Sequence, residues 1–381
     1  MKYIELVTTP QALGSLADRL AREPLIACDL EADSLHHYQE KVCLLQFSTP
    51  TESVLVDPLA LPDLGALAPV MANPGIRKVF HGADYDVRSM YRDFGIEIVN
   101  LFDTMVACQF LGEAEVGLAA VLKKRFGAEL DKRYQKADWS RRPLLPEMIE
   151  YAVKDTTLLL ELYSQLQGEL VAKGRMEWVE EECLLLSRVR MGSRSAGPLC
   201  LRFKGASRME PRSLGVLEEL LQFREVLARE ADRPPFKVLD NELLRGLAEK
   251  RPRSLKELSE HPLVKPWLID RYGNGILAAI ERGEALSAEM LPVLPKQQRQ
   301  IRNKRVEERL KLLKAWREGV AKRVGIDAGI LCNNGLLELF ATDLATAGPE
   351  QLAAAMKGWQ WRVLGAELPD LLRNQGRSTG R

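Results

Sequence analysis

At roughly 150 residues per domain, a chain of 381 residues and 42.8 kDa suggests two or three domains. Its 46% hydrophobic and 28% charged residues are those of a soluble globular protein, which excludes collagen-like, wholly disordered and membrane-bundle architectures. The net charge of +1 hides an asymmetry: residues 1–175 carry 19 basic against 25 acidic side chains, and residues 176–381 carry 35 against 28.

In chain order, Pro24–Leu30, Val42–Phe47 and Val54–Val56 read as short strands separated by turn residues, an antiparallel meander. Lys78–Phe80 reads as a fourth strand. Val87, Met90, Tyr91 and Phe94 follow at helical spacing up to Gly95. Helices are expected at Thr104–Phe110, Gly117–Phe126 and Pro146–Gln167, completing an α/β domain over 1–170. A connecting helix and linker take 171–210, with Met191–Pro198 as the linker proper. Residues 211–290 and 303–373 are all-helical in pattern, and 374–381 reads as a disordered tail. The two helical blocks are weakly similar: Leu220–Arg229 parallels Leu312–Lys322, and Asp240–Leu244 parallels Asn333–Leu337, a tandem repeat of about 80 residues.

The segment Lys296–Arg323 holds eleven basic residues against Glu307, Glu308 and Glu318. Such an excess suits a polyanion, and equally a solvated helical face. The start Met1-Lys2-Tyr3-Ile4-Glu5 carries charge where a signal peptide needs its apolar region, and no run nears the roughly 18 residues of a spanning helix. A cytoplasmic protein with no membrane partner is expected. Six scattered cysteines offer no zinc spacing and read as reduced, buried small hydrophobes. No heptad or large apolar stripe asks for a protein partner, so a monomer is the default.

Three acidic motifs stand out. Asp29 and Glu31 lie two apart at the end of an apolar strand, so both carboxylates face one side. His81-Gly82-Ala83-Asp84-Tyr85-Asp86 lies between a strand and a helix, where Asp84 or Asp86 could equally be a helix cap. Tyr151 and Asp155 are four apart on one helical face. Singly each is weak. Together they make four acids and a tyrosine in one domain, an oxygen-only set suited to Mg²⁺ or Mn²⁺ and wrong for zinc.

The order and spacing of these motifs resemble the 3′–5′ exonucleases of the ribonuclease H-like fold that use four acidic residues and a tyrosine. Leu130-Asp131-Lys132 and Asp138-Trp139-Ser140-Arg141-Arg142-Pro143-Leu144, just before Tyr151, narrow the resemblance to the ribonuclease D family. Phe102-Asp103-Thr104 fits its pattern too, although Asp103-Thr104 could be a simple cap. Phe223-Arg224-Glu225, Phe236–Leu239 and Arg271-Tyr272-Gly273 resemble HRDC domains, nucleic-acid-binding modules, and the second block looks like a degenerate copy.

The resemblance implies a ribonuclease H-like exonuclease domain, with a mixed sheet flanked by helices, followed by two all-α HRDC-like domains. It implies two divalent ions, Mg²⁺ or Mn²⁺, one held by Asp29, Glu31 and Asp155 and the other by Asp29 and Asp86. The aromatic-acid-apolar step Tyr85-Asp86-Val87 favours Asp86 over Asp84. Tyr151 would orient the attacking water, and Leu30 and His81 would contact the terminal nucleotide. The implied reaction is removal of nucleoside 5′-monophosphates from RNA 3′ ends, with transfer RNA precursors and other small RNAs as substrates. Two rivals are a DNA 3′–5′ exonuclease with the same acids and an inactive RNA-binding adaptor. The basic second half would supply salt-sensitive affinity, so that deleting residues 296–381 would raise KM far more than it lowers kcat. His36 and His37 have no assigned role. A helicase is excluded, since no GxxxxGK[ST] loop is present.

Overall fold

The computed structural model describes residues 3–131, 133–192, 197–294 and 303–377. Lys132, residues 193–196 of the linker, Lys296, Arg299 and Arg302 of the basic segment, and 378–381 of the expected tail lie outside the described residues. The chain divides into two compact units: residues 1–32, 42–191 and 300–381 in one, and residues 33–41 and 192–299 in the other.

The first unit is built on a six-stranded mixed sheet, ordered β1-β4-β3-β2-β5-β6. β1 (Tyr3–Val7) is parallel to β4 (Glu52–Val56). β2 (Leu25–Ala32) and β3 (Val42–Ser48) complete the antiparallel meander with β4, and β5 (Arg77–Phe80) and β6 (Leu101–Asp103) extend it in parallel. The sequence reading lacks β1 and β6, which at five and three residues are too short to display a period of two. β3 is buried on both faces, so it reads as a nearly continuous apolar run, with Gln46 and the terminal Ser48 as its polar exceptions.

Helices α1 (Pro10–Leu20), α2 (Ala68–Ala72), α3 (Asp84–Phe94), α4 (Thr104–Leu111) and α5 (Leu118–Phe126) connect and cover the strands. α3 ends where expected, at Gly95 in the left-handed region (φ 65°). The single helix expected over Pro146–Gln167 is two, α6 (Pro146–Thr157) and α7 (Leu159–Ala172), followed by α8 (Met176–Ser187). At the junction the Thr157 hydroxyl donates to the Val153 carbonyl at 2.6 Å, a back-bond that loosens a helix. All six cysteines are free and buried.

The second unit packs α9 (Pro211–Glu230), α10 (Pro235–Val238), α11 (Asn241–Lys250), α12 (Leu255–Ser259) and α13 (Pro266–Ala285) around their own apolar core. Residues 33–41 belong with it. His37 Nδ1 meets Asp232 at 2.7 Å, and the Tyr38 hydroxyl donates to Glu225 at 2.9 Å, which gives the unassigned His36-His37-Tyr38 stretch a place against α9.

The C-terminal helices are α14 (Lys304–Val324), α15 (Ala328–Leu331), α16 (Asn334–Ala341), α17 (Pro349–Ala354), α18 (Gly358–Leu364) and α19 (Leu368–Arg377), the last reaching into the expected tail. They repeat a detail of the second unit. Arg224 donates to the Leu239 carbonyl and Asn241, while Asp240 caps α11; likewise Arg317 donates to the Cys332 carbonyl and Asn334, while Asn333 caps α16.

Unlike the first helical block, this one has no core of its own. Leu313, Val320, Leu337, Phe340, Trp359 and Leu364 belong to the same buried cluster as the strands of the sheet. Trp178 of α8 stacks on Trp359 with ring centroids 5.5 Å apart, and Phe110 of α4 meets Trp359 edge-on at 4.9 Å. Glu181 accepts the backbone N–H groups of Gly358 and Trp359, and Glu182 accepts from Trp359 Nε1 at 2.7 Å. Arg175 donates to the carbonyls that end two helices, Phe110 of α4 and Val324 of α14. Gly112 is held against Gly325, whose carbonyl oxygen a Cβ would meet at 2.3 Å.

Candidate active site

β2 delivers Asp29 and Glu31 to the sheet face that α6 covers, and α6 brings Tyr151 and Asp155 down onto them. One ligand oxygen from each of Asp29, Glu31 and Asp155 can be chosen so that all lie within 4.8 Å of one another. Asp86, in the first turn of α3, is 7% exposed, whereas Asp84 turns outward to pair with Arg88 at 2.8 Å. Of the two candidates in that motif, it is Asp86 that faces the cluster.

The electrostatics follow from crowding like charges in a dry site. Burial, then the charges of Asp86, Glu31 and Asp155, hold the Asp29 carboxyl well above the ordinary range. Glu31 is raised in the same way, by burial and then by Asp155 and Asp86. Burial pushes Asp86 up to about 7, against the pull of its own backbone N–H and that of Leu30. Asp155 is pushed up to about 7 by burial, opposed by a hydrogen bond from Tyr151. Tyr151 is itself raised, by burial and then by Asp155, so its phenol stays protonated and serves as a donor.

Such a cluster fits divalent cations. Its donors are all carboxylate oxygens, the hard ligands that Mg²⁺ and Mn²⁺ take, and the positive charge offsets a repulsion that no basic side chain among the described residues neutralises at Asp29, Glu31 or Asp155. A pH dependence follows with a definite sign. Asp86 and Asp155 keep protons up to about pH 7 in the folded, metal-free state, while the unfolded chain loses them near pH 4. Their contribution to stability is therefore full below about pH 4 and is lost as the pH rises through about 7. In EDTA, melting followed by circular dichroism should give a lower midpoint at pH 8 than at pH 5, and Mn²⁺ should remove most of the difference; equal midpoints in EDTA would contradict it.

The cluster opens into a cleft of about 470 Å³ lined by Asp29, His81, Gly117, Leu130, Tyr151 and Asp155. The Thr104 hydroxyl donates to the Phe80 carbonyl at 2.9 Å, so its oxygen accepts from His81 Nδ1, also at 2.9 Å. Burial lowers the His81 pKa despite the attraction of Asp103 and a hydrogen bond to the Val116 backbone, which keeps the ring neutral. Leu30 is placed differently. Its side chain joins the main core on the opposite side of β2 from both acids, because neighbouring strand residues alternate, and only its backbone N–H reaches toward Asp86.

Two supporting motifs gain a physical role. Asp103 is fully buried and caps α4 through Met105 N and Val106 N, but it also accepts from Gly82 N at 2.9 Å and Ala83 N at 2.8 Å. One carboxylate thus ties the turn that starts α3, and with it Asp86, to β6. A sequence shows the cap; the second pair of donors comes from a turn some twenty residues away. Trp139 is buried and packs on Tyr151 with ring centroids 5.9 Å apart, and Arg142 fixes its loop by pairing with Asp57 at 2.6 Å.

Comparison with known proteins agrees with this geometry. A 3′–5′ exonuclease family model matches residues 4–171, and an HRDC domain model matches residues 213–280. The chain is 31% identical to ribonuclease D of Nitrobacter hamburgensis over 95% of its own length and 93% of that protein. The crystal structure of Escherichia coli RNase D, described as an exoribonuclease involved in structured RNA processing, superposes with a TM-score of 0.74 at 26% identity, covering 98% of this chain and 99% of that one. The catalytic core of RRP6 from Trypanosoma brucei gives a TM-score of 0.66 at 34% identity, covering 75% of this chain and 81% of that one. The likeness extends through both helical regions as well as the acidic domain, and the chain belongs to the ribonuclease D family of metal-dependent 3′–5′ exoribonucleases.

Proposed function

We propose that the four acids form a two-metal site that trims the 3′ ends of transfer RNA precursors and other small structured RNAs. The observation that carries this reading is the meeting of Asp29, Glu31 and Asp155 within 4.8 Å on the wall of a cleft that also presents Tyr151 and His81. Asp29, Glu31 and Asp155 would hold one ion, and Asp29 with Asp86 a second, Mg²⁺ or Mn²⁺. Ions bound there acidify a water and offset charge on the departing 3′ oxygen.

The protein's own groups do the rest. The protonated Tyr151 hydroxyl donates to Asp155, and its oxygen is left to accept from the attacking water and set its line. The neutral His81 ring, on the wall of the cleft, suits a ribose hydroxyl of the terminal nucleotide. A 2′-hydroxyl is what distinguishes RNA from DNA at such a point. Water adds to the terminal phosphorus, the bond to the 3′ oxygen breaks, that oxygen gains a proton, and a nucleoside 5′-monophosphate leaves. Lys304, Lys311 and Lys322 lie along one exposed face of α14 at helical spacing, a stripe suited to RNA phosphates.

The test is incubation with a 3′-extended transfer RNA, an unstructured RNA and a DNA strand of matched sequence, in Mg²⁺, Mn²⁺ or EDTA. Stepwise shortening of the RNA alone, abolished by EDTA, is the expected outcome. Equal degradation of the DNA would overturn the proposed use of the 2′-hydroxyl, and no preference for the 3′-extended RNA over an unstructured one would overturn the transfer RNA assignment.

A further inference from the structure

Gln46 lies in the middle of β3 with 0% exposure, and neither its Oε1 nor its Nε2 has a hydrogen-bond partner. Leaving a buried polar group unsatisfied costs stability, because its hydration is lost with nothing in exchange. Folded proteins leave few such groups, and each asks for a reason.

The register of the sheet supplies one. β2 and β3 run antiparallel with Gln46 directly opposite Asp29 and Leu44 opposite Glu31. Residues so paired share a face, with Cβ atoms about 4.5–5.5 Å apart. Two residues along the same face, the Ser48 hydroxyl meets Thr156 at 2.8 Å, and Thr156 follows Asp155 on α6. The unpartnered amide therefore forms part of the floor under the carboxylates, between the strand that carries Asp29 and the helix that carries Asp155. Its neighbours on that face are otherwise apolar or already bonded: Leu44, Leu55 and Ser48.

We propose that Gln46 is a positioning residue for the metal centre, its amide N–H group orienting the Asp29 carboxylate so that the opposite oxygen faces the ions. An amide offers two donors and an acceptor, the complement of an ionised carboxylate and of a metal-bound water. Its hydrogen bonds are completed when the centre is loaded. This inference rests on the metal reading of the acidic cluster. Partners of this kind typically change metal affinity by about 10–100-fold.

The experiment compares wild type, Gln46→Met, Gln46→Leu and Asp155→Ala by calorimetric titration with Mn²⁺ and by thermal melting in EDTA. Both Gln46 variants are expected to bind Mn²⁺ about 10–100-fold more weakly, with melting in EDTA unchanged or higher, since an apolar group replaces an unpartnered amide. Unchanged Mn²⁺ affinity in the Gln46 variants, with binding abolished in Asp155→Ala, would overturn the role of Gln46 and leave the metal site standing. Lower melting in EDTA, or failure of both Gln46 variants to fold, would make the amide a structural partner and overturn it too. If Asp155→Ala binds Mn²⁺ as wild type does, the metal reading fails and takes this inference with it.

Discussion

Asp155→Ala should lose at least ~10³-fold in kcat on RNA, the scale on which removing one member of a group that acts as a unit falls, and yet melt at a higher temperature than wild type in EDTA at pH 8. Both halves have one cause. Four carboxyls crowd one buried site, and Asp155 is pushed up to about 7 by burial there. Relieving this strain stabilises the metal-free fold at pH 8, where the unfolded chain carries the charge without that penalty. The same crowding is what binds cations. Tyr151→Phe separates the roles: it keeps all four acids, so Mn²⁺ titration should match wild type while kcat drops ~10²-fold. Loss of Mn²⁺ binding in Tyr151→Phe, or wild-type turnover in Asp155→Ala, would contradict this division.

Removal of residues 303–381 is expected to abolish the folded nuclease rather than merely weaken its hold on RNA. The sequence reading treats this block as a separable binding module whose loss raises KM. The structure gives it a different physical status, since its apolar residues complete the core of the nuclease unit. Without it, Trp178 and Phe110 lose the Trp359 ring, Glu181 and Glu182 lose their donors, and Arg175 loses the Val324 carbonyl. Trp359→Ala isolates the largest of these contacts. A fully buried Trp cut to Ala destabilises by about 3–5 kcal/mol, to be measured by urea unfolding. A truncated chain that melts cooperatively near the wild-type temperature, with only KM altered, would restore the module view.

Much of the site was legible in the chain because its spacings are local. Two residues on a strand and four on a helix fix a shared face for Asp29 with Glu31 and for Tyr151 with Asp155, whatever the rest of the fold does. The meander and the end of α3 at Gly95 were readable for the same reason, each depending on a few adjacent residues. Aromatic and basic residues around Arg224 and Arg271 marked the HRDC domain model's span, residues 213–280.

What the sequence by itself determined is therefore the chemistry: four acids and a tyrosine in an α/β domain, followed by repeated helical blocks, in the order found in the ribonuclease D family. Tertiary structure decided the rest, because it depends on pairs far apart in the chain. Only the fold turns Asp84 outward and buries Asp86, and only strand alternation within a two-sided core sends Leu30 away from the acids beside it. The register of β2 against β3 puts Gln46 opposite Asp29, the parallel pairing of β5 with β6 lets Asp103 reach the turn before α3, and one shared core makes the last helical block part of the nuclease. Such pairings are set by which apolar surfaces can be buried together, a property of the whole chain that no local pattern contains.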